Sequence, residues 1–404
     1  MAKGFDIRHF FRRAPRDWLK RYFDDAKLLA DFDWSAVPKR KIDALVERWL
    51  ELDEATRRLL SEDFLSIKML ATPACKIQII DEAAYFGEQD RVAAKLLALG
   101  DFYACAFWVR LEQPRLWEGA LRYAIADAKS KTYWRKRVNM PKLARHPNED
   151  DARALAAALT QLFTKTEARG GRCVVHLLRR GADGAREYFF AYPEDHRHTP
   201  LVYREGQLVA QPHNPAFEVI FVHNDTEQTL SIWYEGSKER IKDLQVAFAQ
   251  SVLGRTIARD SPRDDRAYDL QPFLDPAFTF KPDPVLGIES VDLRKMRVRI
   301  VGAEGRTIQV DLDTEAPSHV LHQVMDAVLA DVPASQRSVT MVGLRVTFDP
   351  QSNQSSRRSR SFQIAAPSSC NLKADEFSPL IERLLRDHGI VPTAPRSGSY
   401  ESIA

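Results

Sequence analysis

The sequence predicts a mixed α+β fold in several parts: a helical N-terminal region, a central antiparallel sheet with a packed helix, and a smaller C-terminal ββαββα-like part. Three observations point there. Apolar residues recur every three to four positions through much of residues 1–137. They alternate with a period of two in short runs between 172 and 234, and the period changes in the same way after 291. At 404 residues the chain is long enough for two or three domains. The boundaries expected are a helical domain over 1–137, a central domain over 151–254, a proline-rich connector over 255–290, a C-terminal domain over 291–392 and a disordered tail over 393–404.

In the N-terminal region Pro15 opens a helix with Trp18, Leu19, Tyr22 and Phe23 on one side. Residues 41–53 carry Ile42, Leu45, Trp49 and Leu52 at helical spacing, and 56–70, 83–99 and 116–128 continue the pattern. Residues 102–109 are apolar throughout, which predicts a buried segment. No internal repeat is visible, which argues against a TPR or HEAT array. Pro141 and Pro147 mark a connector, followed by an alanine-rich helix over 151–164 that leads through Gly170 and Gly171 into the sheet.

The central sheet reads as two strand pairs. Residues 174–180 and 187–192 flank a glycine-bearing turn at 181–184. Residues 217–223 and 230–234 flank a polar turn at 224–227, with Phe217, Val219 and Phe221 on one face and Leu230, Ile232 and Tyr234 matching them, as a half-buried strand requires. A fifth strand is expected through Val202 and Tyr203, turning at Glu205–Gly206. Ser237 then caps a helix whose stripe is Ile241, Leu244, Phe248 and Val252, ended by Gly254.

The connector is dense in proline, with Phe273, Phe278 and Phe280 expected to pin it to a surface. Beyond it Met296, Val298 and Ile300 alternate with Lys295, Arg297 and Arg299. Gly302–Gly305 turns into a second strand at 307–310, and Pro317 opens a helix carrying Val320, Val324 and Val328. Strands at 339–348 and 361–365, joined by a polar loop, and a helix at 377–387 complete the region.

The net charge of +3 shows no bulk attraction to polyanions, so any basic surface must be local. Cys75, Cys105, Cys173 and Cys370 lack metal-pair spacing, no signal peptide is apparent, and no apolar run reaches the roughly 20 residues of a membrane span. A soluble cytoplasmic protein with no cofactor is expected.

No catalytic or metal-binding pattern assembles. Ile77–Glu82 resembles a Walker B strand, but the chain has no phosphate-cradling GxxxxGK[ST] loop, so a solvent-facing acid pair is expected there. Cys173 and His176 fall on opposite strand faces and form no dyad, and Cys173 is expected to be buried. His319 and His322 share a helix without a third ligand. The polar loop Glu194, Asp195, His196, Arg197, His198, with His213, His223 and Glu218 nearby, is the best place for acid–base or metal chemistry.

Basic clusters are stronger signals. Lys129, Lys131, Tyr133, Trp134, Arg135, Lys136 and Arg137, extended by Lys142 and Arg145, mix cations with rings that can stack on bases. Lys295, Arg297 and Arg299 must share a strand face, with Arg306, Arg345, Arg357, Arg358 and Arg360 expected nearby. Arg8, Arg12, Arg13, Arg16, Lys20 and Arg21 interleave with Phe10, Phe11 and Trp18 as a third group, a helix suited to docking on a protein partner. The expected function is binding or assembly without catalysis, through basic surfaces that meet nucleic acid or an acidic protein. The alternatives are an enzyme with its site near Glu194–His198, and a scaffold subunit of a bacterial mobile-element or phage-defence complex.

Overall fold

The computed structural model describes residues 5–36, 42–180, 186–302, 306–313, 316–349, 358–373 and 375–393. The expected turn at 181–184, most of the turn after Gly302, Arg357 with the polar loop before it, and nearly all of the C-terminal tail lie outside the described residues. The fold is α+β and divides into two compact units. One comprises the chain up to Ile80, Gln89–Ala124 and everything from Asp265, and the other comprises Asp81–Glu88 and Ile125–Asp264. No described helix is long and apolar enough to cross a membrane.

The first part of the chain is helical: α1 (Ile7–Arg13), α2 (Arg16–Asp25), α3 (Asp43–Glu51), α4 (Glu54–Leu70), α5 (Cys75–Tyr85), α6 (Gln89–Leu99), α7 (Phe102–Glu112) and α8 (Pro114–Ala128). Asp6, Asp53 and Asp101 cap α1, α4 and α7 by accepting from the amides of His9, Thr56 and Ala104. Phe10, Phe11, Tyr22 and Phe23 pack around Phe64, with Phe10 stacked on it at 4.6 Å between ring centroids. Residues Ala104–Val109 are buried, as expected of so apolar a run. The single helix expected over 83–99 is two, because Gly87 takes φ +71° and ends the first. Asp81 and Glu82 are buried within α5 rather than facing solvent.

The second unit contains β1 (Trp134–Arg137), α9 (Glu149–Glu167), β2 (Cys173–Arg180), β3 (Arg186–Pro193), β4 (Leu201–Arg204), β5 (Gln207–Ala210), β6 (Val219–Asn224), β7 (Thr229–Trp233) and α10 (Lys238–Ser251). An antiparallel five-stranded sheet runs β1-β7-β6-β3-β2. Its fifth strand is therefore β1, not the Val202 segment, which pairs only with β5 in a separate two-stranded ribbon. Against one face lie Leu155, Leu159 and Phe163 of α9 and Leu244 and Phe248 of α10, meeting Phe189, Ala191, Phe221 and Ile232. Ser237 caps α10, and Gly254 closes it at φ +61°. Phe190, Ile220 and Trp233 are buried too, so these strands are covered on both faces rather than half-buried.

The remaining elements belong to the first unit: β8 (Ala267–Tyr268), β9 (Ile288–Ile300), β10 (Thr307–Asp311), α11 (His319–Val328), β11 (Arg337–Phe348), β12 (Arg358–Ala365), β13 (Ser369–Cys370), α12 (Ser378–Asp387) and β14 (Pro392–Thr393). A second antiparallel sheet runs β10-β9-β11-β12-β13. Its core joins Met296, Val298 and Ile300 of β9 to Val342, Leu344 and Val346 of β11 and to Leu380, Ile381 and Leu384 of α12. Phe273 is buried in it, with Phe278 and Phe280 packed alongside, so the connector is pinned as expected. In α11 the buried side chains are Leu321 and Met325, while Val324 and Val328 are exposed, so the helix is turned one residue from the expected stripe.

Candidate interaction surfaces

On β9, Met296, Val298 and Ile300 point into the core, so Lys295, Arg297 and Arg299 project from the other face. Register places Thr307, Gln309 and Asp311 of β10 opposite Arg299, Arg297 and Lys295, and Ser338 of β11 opposite Arg299. Gln309 Oε1 accepts from Arg297 Nε at 2.8 Å and Nη2 at 2.6 Å. Lys295 Nζ lies 2.9 Å from Asp311, to which Gln309 also donates. Gly343 stands opposite Lys295, and a Cβ there would come 2.8 Å from the lysine Cβ, so the missing side chain leaves room for the base of the lysine side chain. Arg299, Arg306 and Arg345 make no ion pair among the described residues. The face is polar and cationic, at a sheet edge formed by β10.

Arg358 and Arg360 do not extend this face. Cross-strand pairing sets them opposite Phe348 and Val346, on the side that carries the core. Their guanidinium groups lie 5.5 and 4.8 Å from the Phe377 ring centroid. Arg358 pairs with Glu376 at 2.7 Å, and Arg360 pairs with Asp375. Partial burial opposes ionisation of Asp375, yet the Arg360 bond and the Phe377 and Ser378 amides hold it below the usual carboxylate range. These arginines fasten the start of α12.

The first basic cluster is likewise drawn inward. Lys129 lies over the Trp233 ring at 4.4 Å and pairs with Glu218. Lys136 pairs with Glu227 at 2.9 Å, and Arg135 donates to the Thr132 and Trp134 carbonyls at 2.7 Å. Arg137 is buried and donates to the carbonyls of Ala258 at 2.8 Å and Asp260 at 3.2 Å. Arg145 grips Asp151 through both oxygens, at 2.7 and 2.9 Å. Lys131 and Lys142 are exposed; Tyr133 meets Trp233 edge-on at 6.3 Å, and Trp134 is half-buried. Because 134–137 form a strand, consecutive cations go to opposite faces and one of them is enclosed.

In the N-terminal group the aromatic side expected to meet a partner closes its own core, since Phe10 and Phe11 are fully buried. Arg8 pairs with Asp43, Lys20 with Asp24, and Arg21 with Glu112 while covering Trp18. Arg16 of α2 donates to the Phe11 carbonyl, and Arg12 and Arg13 are exposed on α1 beside Arg8.

The residues favoured for chemistry are spread along a β-ribbon. Glu194 accepts from Asn214 at 2.8 Å and Arg172 at 3.2 Å, bonds that lower its pKa in that order. Asp195 pairs with Arg169 at 2.8 Å, in a chain of ion pairs through Glu167, Arg240, Asp243 and Arg259 to Glu239. His198 and His213 face each other across the ribbon with ring centroids 6.5 Å apart, and His196 is exposed. His322 contacts the Phe273 carbonyl, while His319 is exposed. Cys173 is half-buried rather than enclosed, and burial pushes its thiol up to about 12. No group of three or more His, Cys, Asp or Glu among the described residues is placed to hold a metal ion.

Two buried polar clusters were not anticipated. Arg180 bonds Asp81 at 2.9 Å and Tyr188 at 3.3 Å, with Asp127 at 3.5 Å. Glu187, opposite both Arg179 and His223 in the sheet, accepts from Arg179 at 2.8 Å and lies 3.2 Å from His146 Nδ1. Its Oε2 and both His223 ring nitrogens are buried without a well-formed hydrogen bond among the described residues. Burial raises the Glu187 pKa against the pull of Arg179, and burial lowers that of His223 against Asp225. A signal existed: Glu187 interrupts the apolar period-two face of Phe189 and Ala191.

Comparison with protein-family models, curated proteins and solved structures finds no match for the chain.

Proposed function

We propose that this is a non-catalytic binding protein that holds a nucleic-acid backbone on the outer face of its C-terminal sheet. The observation that carries the reading is the β9 row of Lys295, Arg297 and Arg299, in which Arg299, like the neighbouring Arg306, makes no ion pair among the described residues. Thr307, Gln309, Ser338 and Ser361 surround it, and such hydroxyl and amide donors complement cations at phosphate oxygens. Their distribution suits a phosphate chain better than the carboxylates of an acidic protein. Cys75 and Cys105 are both free and buried, which favours a reducing, cytoplasmic setting.

Anisotropy titration of labelled oligonucleotide across a salt series tests the proposal. Three or four phosphate contacts predict that log K falls with log salt at a slope of about −3, from roughly −0.9 for each contact on duplex. Absence of binding at low salt rules it out. Competition by polyglutamate as strong as by unlabelled nucleic acid transfers the face to an acidic protein.

A further inference from the structure

Beyond β3 and β6 the chain continues as a projecting β-ribbon. Backbone bonds join Asp195 to Pro215, His198 to His213 in both directions, and Gln211 to Pro200, before β4 and β5 meet in a Glu205–Gly206 turn with both residues at positive φ. Nearly every side chain from His196 to Asn214 is exposed. Leu201 at 65%, Tyr203 at 80% and Leu208 at 53% exposure share one ribbon face, since Tyr203 pairs with Leu208 and Leu201 with Ala210. A single exposed apolar residue is ordinary, but a contiguous group on a ribbon with two unpaired edges marks a contact surface.

Size and charge select the occupant. Paired strands lie about 4.8 Å apart and same-face neighbours about 6.8 Å apart, so the apolar face is about as large as one or two stacked bases. A stable protein interface needs roughly 800 Å² from each partner, far more than this face offers. Near it stand Arg197, His196, His198 and His213, while Arg204 projects from the opposite ribbon face and donates to Gln211 Oε1 at 3.2 Å, and Glu205 is the only acid from 196 to 213. That balance complements a polyanion.

We propose that the ribbon is a base-stacking arm for single-stranded nucleic acid, with Tyr203 as the platform, Leu201 and Leu208 as its apolar margin, and Arg197 on a neighbouring phosphate. The inference rests on the nucleic-acid reading above and adds strand type. Anisotropy titration of the full chain with labelled mixed-sequence single-stranded and duplex oligonucleotides tests it. Tyr203→Ala weakens single-strand binding about ten-fold, Tyr203→Trp preserves it, and duplex binding changes less than two-fold with either. The new indole is quenched on adding single strand. Single-strand binding unchanged by Tyr203→Ala overturns the arm while leaving the sheet-face reading intact. Absence of all nucleic-acid binding by the unaltered chain overturns both. Self-association in sedimentation that Tyr203→Ala abolishes, with single-strand affinity intact, assigns the ribbon to protein contact and overturns the proposal.

Discussion

The two five-stranded sheets each carry a cationic strand, yet they treat the charge in opposite ways. In β1, Arg135, Lys136 and Arg137 are consecutive, so pleating divides them between faces and Arg137 ends up enclosed by carbonyls. In β9 Lys295, Arg297 and Arg299 are spaced by two and alternate with core residues, so these three stay on the outer face, while Arg294, on the core parity, is partly buried and donates to the Ala316 carbonyl. Density of charge is similar, but spacing relative to the strand period decides between a structural cation and a displayed one. Arg180 marks the enclosed extreme and Arg299 the displayed one.

The contrast breaks most visibly at the enclosed end. Arg180→Met leaves Asp81 and Asp127 without their shared cation and costs about 3–5 kcal/mol, read from urea unfolding of the whole chain. Arg137→Ala opens several carbonyls and Gln245, a loss of about 1–3 kcal/mol, with unchanged nucleic-acid affinity. A Tm unaffected by either change removes the distinction between the sheets.

A smaller effect lies in pH. His223 titrates below its ordinary 6.5 in the folded chain, so its contribution is whole above that value and is lost as the pH falls beneath it. Glu187 has the opposite sign, since its raised pKa favours the fold below the ordinary 4.5 and disfavours it as the pH rises through the folded value. Arg179, His146 and Asp225 face the same cluster, and His223→Phe removes only the imidazole component. The expected outcome is a shallower fall in Tm between about pH 7 and 5 in the variant than in the parent. A steeper fall contradicts the assignment.

What could be read from sequence follows from how local its cause is. Helix α10 was legible because cap, stripe and closing glycine lie within one segment, from Ser237 to Gly254. The α11 face was not, because Val320, Val324 and Val328 and the observed Leu321, Met325 and Leu329 have equally good spacing. Tertiary packing chose between them. Strand β1 is not legible locally because its charged residues extend only by pairing with Leu230–Trp233, far along the chain. The β9 face was legible from alternation alone. Arg358 and Arg360 were misplaced because the register of β12 on β11 sends them to the core side.

The most direct test compares salt slopes of nucleic-acid binding for two variants of the full chain. One is Arg297→Ser with Arg299→Ser on β9, and the other is Arg135→Ser with Lys136→Ser on β1. The account predicts that the β9 pair flattens the slope by about 2 while the β1 pair leaves it unchanged. A slope flattened by the β1 pair and untouched by the β9 pair would contradict it.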